Sequence, residues 1–220
     1  MEIMRHFKEA VQNLIAPAHC SDCLRMLEER VALCDECSAQ IRPIVSVDLE
    51  ISKRLSVPVI ALGAYEPPLT TLILAKRYRH HISAHHLGEL LARHLAACTI
   101  TGDYLIPVPL HWRRYAERGF NQAEIMAEQL GTKLNMSVIH PLRRGRHTAY
   151  QLHNNLDERN KNVEGAFLLD ERYRGADYQG KRLIIVDDVF TTGATVRAMI
   201  KALLPLQPAS IQVVVAARVA

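Results

Sequence analysis

The chain contains no apolar run approaching the roughly 18 residues that suggest a membrane span. Its opening residues, Met1-Glu2-Ile3-Met4-Arg5-His6-Phe7, lack the apolar core of a secretory signal, so a cytoplasmic protein is expected. There is no internal repeat and no low-complexity segment, which excludes a repeat architecture. No G-x4-G-K-S/T loop occurs, which excludes a Walker-type nucleotide site. Net charge is only +4, weak support for a nucleic-acid partner when taken alone. With 49% apolar and 23% charged residues, the composition is that of a globular protein, and 220 residues suffice for one full domain plus a small module.

The distribution of charge says more than its sum. Between Tyr104 and Gln151 stand seven cations, Arg113, Arg114, Arg118, Lys133, Arg143, Arg144 and Arg146, against three acids, Glu117, Glu124 and Glu128. That stretch alone carries the whole excess. Such a concentration attracts phosphates, or it is simply a solvated basic face.

Five cysteines without a signal peptide argue against a disulfide framework. Four are clustered: Cys20-Ser21-Asp22-Cys23, then ten residues, then Cys34-Asp35-Glu36-Cys37. Two C-x2-C pairs can complete a tetrahedral thiolate site, closed and structural, and zinc suits four soft sulfurs. In a segment this short, metal binding supplies much of the folding free energy. Chance pairs or a redox dithiol are the competing readings. Cys98, in the run Leu95-Ala96-Ala97-Cys98, is expected to be a buried thiol. His80, His81, His85 and His86 have only Glu89 as a nearby carboxylate, and no metal site is expected there.

Periodicity places an amphipathic helix over Glu2–Ile15, from Met4, Phe7, Val11 and Leu14. Residues 38–56 read as a linker. Strands are expected at 58–65, 104–109, 137–140, 182–186 and 211–216, and helices at 69–78, 83–98, 121–134 and 194–204. Strands alternate with helices, and the later strands are continuous apolar runs, which indicates an α/β protein with a parallel sheet covered on both faces. A long polar segment runs from Arg143 to about Asn162.

The strand ending at Val186 leads into Asp187-Asp188-Val189-Phe190-Thr191-Thr192-Gly193-Ala194-Thr195 and then a helix. In open α/β sheets, ligands bind at the carboxyl ends of strands. A helix N-terminus offers backbone N–H groups to a phosphate. Gly193 permits close approach of the backbone, and Thr191, Thr192 and Thr195 add hydroxyls. Asp187 and Asp188 would repel a phosphate. They can accept hydrogen bonds from ribose hydroxyls or hold a divalent cation through water. Phosphate on one side and a diol on the other describe a ribose 5-phosphate. Thr and Asp are also ordinary capping and turn residues.

Leu183 to Thr195 resembles the phosphoribosyl pyrophosphate (PRPP) signature of type I phosphoribosyltransferases. Together with the double C-x2-C module, Pro107-Val108-Pro109-Leu110, Arg118-Gly119-Phe120-Asn121-Gln122, Thr148, Gln151, Arg159, Asn162-Val163 and Gly165-Ala166-Phe167, it resembles the ComF family of competence-associated proteins. The resemblance spans roughly residues 20–220. It implies a type I phosphoribosyltransferase-like domain over 57–220, after an N-terminal helix and zinc module over 1–45. It implies PRPP with Mg2+ at Asp187, Asp188, Thr191, Thr192, Gly193, Ala194 and Thr195, zinc at Cys20, Cys23, Cys34 and Cys37, and single-stranded DNA and a DNA-processing protein as partners. A homodimer is compatible with it.

The segment Pro109 to Gly119 resembles, by its place, the loop that receives pyrophosphate. Arg113, Arg114 and Arg118 suit that anion, and they equally suit a DNA backbone. Trp112 and Tyr115 are placed to stack on bases, or Trp112 belongs to the core. Arg143, Arg144 and Arg146 open a segment whose place matches the loop that closes over PRPP. Lys76 falls at a recurring family lysine, although cations at a helix C-terminus are favourable in any case. No acceptor site is identifiable. Three functions stay open: a PRPP-binding protein handling single-stranded DNA in uptake, a phosphoribosyltransferase of unknown acceptor, and a PRPP-sensing scaffold.

Overall fold

The computed structural model describes residues 18–28, 31–42, 46–74, 81–98, 100–145 and 166–219. The helix expected over 2–15, Lys76 and Arg146 lie outside them, as do Thr148, Gln151, Arg159 and Asn162.

In chain order the elements are α1 (Asp35–Ala39), β1 (Val47–Ser52), β2 (Leu55–Ala64), α2 (Leu69–Leu74), α3 (His81–Ala97), β3 (Tyr104–Pro107), α4 (Trp112–Arg118), α5 (Gln122–Leu134), β4 (Ser137–Val138), β5 (Leu142–Arg144), β6 (Phe167–Leu169), β7 (Arg182–Phe190), α6 (Ala194–Leu203) and β8 (Ser210–Arg218). Six strands form one sheet in the order β1-β2-β8-β7-β3-β4. All neighbouring pairs are parallel except β1 with β2. A separate antiparallel pair joins β5 to β6.

The parallel strands bury both faces, as their unbroken apolar runs require. On one face Ile184, Val186, Val214 and Leu105 pack with Leu72 of α2, Leu87 and Leu91 of α3 and Met126 and Leu130 of α5. On the other, Leu183, Ile185, Val213 and Val215 pack with Val196, Met199 and Ile200 of α6, with Phe167 of β6 and with Leu49 of β1. Side chains alternate across a strand, so the consecutive run Leu183 to Val186 serves both layers.

Three expectations are corrected. Residues 38–56 are not a linker: α1 ends there, β1 occupies Val47–Ser52, and β2 begins at Leu55. The alternation Val47, Leu49, Ile51 fits a strand with one face in the core, and β1 extends the sheet by pairing Leu49 with Val57. The segment 109–119 is not all loop, since α4 fills Trp112–Arg118. Cys98 is exposed, not buried, because it stands just past the end of α3; its sulfur lies 3.9 Å from His94 Nε2. Among the described residues, no helix is long and apolar enough to cross a membrane.

The four cysteines do not sit apart. Cys20, Cys34 and Cys37, with Ala32 and Leu33, join the apolar cluster of α2 and α3. Thr71 of α2 donates to Asp22 between the first two cysteines at 2.8 Å.

Candidate functional site

The strand order reverses between β3 and β7. From β3 the chain passes through α5 outward to β4; from β7 it passes through α6 the other way, to β8. Neighbouring connections that diverge leave a crevice at the carboxyl ends of the two strands. The Val108 N–H donates to the Val186 carbonyl at 2.9 Å and keeps the strands side by side up to that point. On one side of this point the chain leaves β3 and enters α4; on the other it leaves β7 and enters the turn before α6.

β7 does not stop at Val186. It continues to Phe190 because β8 runs on beside it, pairing Asp187 with Val215 and Phe190 with Arg218. Asp187 and Asp188 therefore stand on a strand, and the turn proper is Thr191 to Gly193. Both aspartates are half-buried, and the Asp188 N–H donates to Asp187 Oδ1 at 2.9 Å.

Gly193 has φ +75° and is the N-cap of α6, with no side chain capping the helix. A Cβ there would lie 2.8 Å from Leu49 Cδ1 and 2.9 Å from Phe190 Cζ. The glycine is needed for its left-handed backbone and for its fit against the core, a role separate from any approach to a ligand. Thr191 and Thr192 are exposed, and Ala194 and Thr195 half-buried. The Ala194 N–H reaches Thr192 Oγ1 only at 3.4 Å, and the first helical bond is Arg197 N–H to the Gly193 carbonyl. The opening turn of a 10-residue helix thus presents N–H groups beside a hydroxyl-bearing loop.

Arg197 is a residue that sequence reasoning missed. Its guanidinium donates to the Thr192 carbonyl at 2.7 Å and to the Glu50 carbonyl of β1 at 3.2 Å, fastening the turn to the edge strand. Its helical position was legible in the sequence, whereas its partner 147 residues away was not. Asn121 does comparable work across the crevice: its Oδ1 accepts from the Ala123 N–H and its amide donates to the Val108 carbonyl.

The arginine candidates separate. Arg144, on β5, lies over the Phe167 ring at 5.5 Å. Burial lowers its pKa, repulsion from Arg114 lowers it further, and attraction to Asp187 opposes both. Arg144 of β5 thus lies within electrostatic range of Arg114 of α4 and of Asp187 of β7. Arg143 points elsewhere. It is exposed and lies in the field of Asp170, whose carboxylate pairs with Arg172. The backbones of Arg113 and Arg118 lie on α4, and their side chains are outside what the structure describes. Trp112 is 67% exposed and Tyr115 51%, so neither is core.

At the N-terminal site, Cys20, Cys23, Cys34 and Cys37 are all free thiols whose sulfurs lie within 4.8 Å of one another. The Cys23 and Cys34 sulfurs are 3.7 Å apart. Four thiolates on a tetrahedral zinc would stand about 3.8 Å apart, from Zn–S distances of about 2.3 Å. The donor set and its spacing fit a metal. Burial pushes the Cys20 thiol up, but hydrogen bonds from the backbone at Cys34, Cys23 and Asp22, and from the Cys23 side chain, bring it down to about 6. Burial, then the neighbouring cysteines, push Cys37 up. The knuckle is held by the Cys20 N–H donating to the Arg25 carbonyl and by a bridge between His19 and Met26.

Residues 115–220 match the phosphoribosyl transferase domain family. Over 206 residues the chain is 33% identical to the DNA utilization protein YhgH of Salmonella typhimurium, covering 88% of this chain and 87% of that protein. It is 30% identical to competence protein F of Haemophilus influenzae, with 70% of each covered. Among solved structures it is similar to an adenine phosphoribosyltransferase of Thermoanaerobacter pseudethanolicus, with 16% identity, TM-score 0.41, and 84% of this chain and 98% of that one covered. A four-cysteine cluster, a mostly parallel α/β sheet and relatives named for competence and DNA utilisation agree: the chain belongs to the ComF family.

Proposed function

We propose that the protein binds PRPP with Mg2+ in the crevice between β3 and β7 and handles single-stranded DNA during uptake in natural transformation. The carrying observation is the acid pair at one strand end, just before a hydroxyl-rich turn at a helix N-terminus. Asp187 and Asp188 lie near the end of β7, the turn and α6 follow, and Arg144 of β5 lies within electrostatic range of Asp187 and of Arg114. The 5-phosphate belongs at the start of α6. The ribose diol belongs against Asp187 and Asp188, which also suit a hydrated Mg2+. The diphosphate belongs near Arg114 and Arg144, whose mutual repulsion an anion relieves. Zinc at the four cysteines would pin the N-terminal segment to α2 and α3 and so support folding. The DNA role rests on the relatives' names and on the basic, aromatic-bearing α4.

Calorimetric titration with Mg-PRPP tests the ligand directly. Saturable one-to-one binding that weakens in Asp187→Asn supports the reading. Absence of heat and of competition at millimolar PRPP would remove it. Anisotropy with a labelled single-stranded oligonucleotide tests the second half, with salt-dependent binding expected.

A further inference from the structure

The two halves of that reading need not use one surface, and the chemistry of the pocket separates them. Two half-buried carboxylates at the end of β7 suit a sugar with free hydroxyls. A DNA strand offers the opposite. Its deoxyribose lacks one hydroxyl of the diol, and along the strand the other is esterified to phosphate. Seated in the pocket, DNA would set a phosphodiester against Asp187 and Asp188.

The adjacent helix α4 has the complementary character. Among the described residues, Trp112 and Tyr115 are the two exposed aromatic side chains, at 67% and 51%. Phe120, Phe167 and Phe190 are buried, and Tyr104 and Tyr173 each lie tilted against Tyr178. Spaced three residues apart, Trp112 and Tyr115 lie along one side of the helix. Arg114, about 200° round from Trp112 at 3.6 residues per turn, is the residue whose charge reaches Arg144 beside Asp187. So α4 holds an exposed cation, Arg114, within electrostatic range of Arg144 and carries two exposed rings on another side. Its sequence Trp-Arg-Arg-Tyr-Ala-Glu-Arg carries three arginines against one glutamate. Exposed rings beside cations match a single-stranded nucleic acid, whose bases present π-faces and whose backbone is anionic.

We infer that the solvent face of α4, with Trp112 and Tyr115 as base-stacking platforms, is the site where this protein holds single-stranded DNA, outside the Asp187/Asp188 pocket. The inference rests on the DNA half of the proposed function and gives it a location.

Trp112 is the only tryptophan in the chain, so its fluorescence reports on this site alone. The full-length, metal-loaded protein is titrated with a fluorescein-labelled oligothymidylate, followed by anisotropy, and in parallel with the unlabelled oligonucleotide, followed by tryptophan emission. Both signals are expected to saturate together, with the emission quenched. W112A/Y115A is expected to bind the oligonucleotide about tenfold more weakly or worse. It should keep Mg-PRPP affinity, which shows that it is folded. W112F should retain most of the DNA affinity. Anisotropic binding with unquenched emission, and undiminished in W112A/Y115A, would overturn the location while leaving DNA binding in place. No binding by the wild-type chain would overturn both the DNA half of the reading and this site.

Discussion

Gly193→Ala separates two demands that the turn after β7 places on one residue. The first is backbone conformation. At φ +75° an L side chain costs about 1–2 kcal/mol. The second is space. The added carbon would stand 2.8 Å from Leu49 Cδ1 and 2.9 Å from Phe190 Cζ. Both neighbours are buried and cannot swing into solvent. Overpacking of this kind costs about 1–3 kcal/mol, so the substitution should destabilise by about 2–5 kcal/mol in all. Two further glycines calibrate the sum. Gly119 has φ +78° and nothing within 4 Å of where a Cβ would stand, so Gly119→Ala carries the conformational cost alone. Gly175 also has open space and no positive φ, so Gly175→Ala should change stability by less than about 0.5 kcal/mol. Urea unfolding followed by circular dichroism measures all three. The expected order of loss is Gly193, then Gly119, then Gly175. Mg-PRPP affinity should fall in Gly193→Ala, since the displaced turn carries the N–H groups proposed to face the phosphate. Equal losses at Gly193 and Gly119 would refute the packing contribution of Leu49 and Phe190.

Arg144→Ala should weaken Mg-PRPP binding by roughly 10- to 100-fold, the loss of a charge-assisted contact, whereas Arg143→Ala, facing Asp170, should leave it within about twofold; calorimetry on both variants decides this. Asp103 and Asp170 are each held at about 2, chiefly by hydrogen bonds from Arg182 and Arg172. A carboxylate depressed on folding stabilises above its unfolded pKa and loses that contribution as pH falls through its folded one. Urea midpoints should therefore decline between about pH 4 and pH 2, less steeply in Asp103→Asn than in the wild type. Purified protein should carry one zinc per chain by mass spectrometry, and Cys34→Ser or prolonged chelation should remove the metal and lower the melting temperature, because the cysteines share the apolar cluster of α2 and α3. A chelator-resistant, metal-free protein with unchanged melting would count against a structural zinc.

Much of the proposed site is legible in the sequence. Local chemistry needs only local residues. Two C-x2-C pairs state a ligand set by their spacing, and they come together with sulfurs within 4.8 Å. An apolar run, two acids and a threonine-rich turn opening a helix identify the strand end that carries the crevice. The misreadings share a cause. Whether Val47–Ser52 is a linker or a strand depends on whether β2 offers it an edge, and β2 does. Whether Asp187 and Asp188 belong to a loop or a strand depends on how far β8 runs beside them. The apolar run before Cys98 suggests burial, but the thiol stands just past the end of the helix and is exposed.

Residue type and spacing alone supply the inventory: the cysteine quartet, the acid pair, the threonine turn, the excess of arginine and the alternation of strand and helix. Which charged groups come near one another is set by packing. Arg144 lies within electrostatic range of Arg114 and Asp187, residues 73 positions apart on two other elements. The tertiary structure also decided that Trp112 and Tyr115 face solvent and that Gly193 is hemmed in by Leu49. Contacts between distant segments are set by how sheet and helices pack, and no local pattern encodes that outcome.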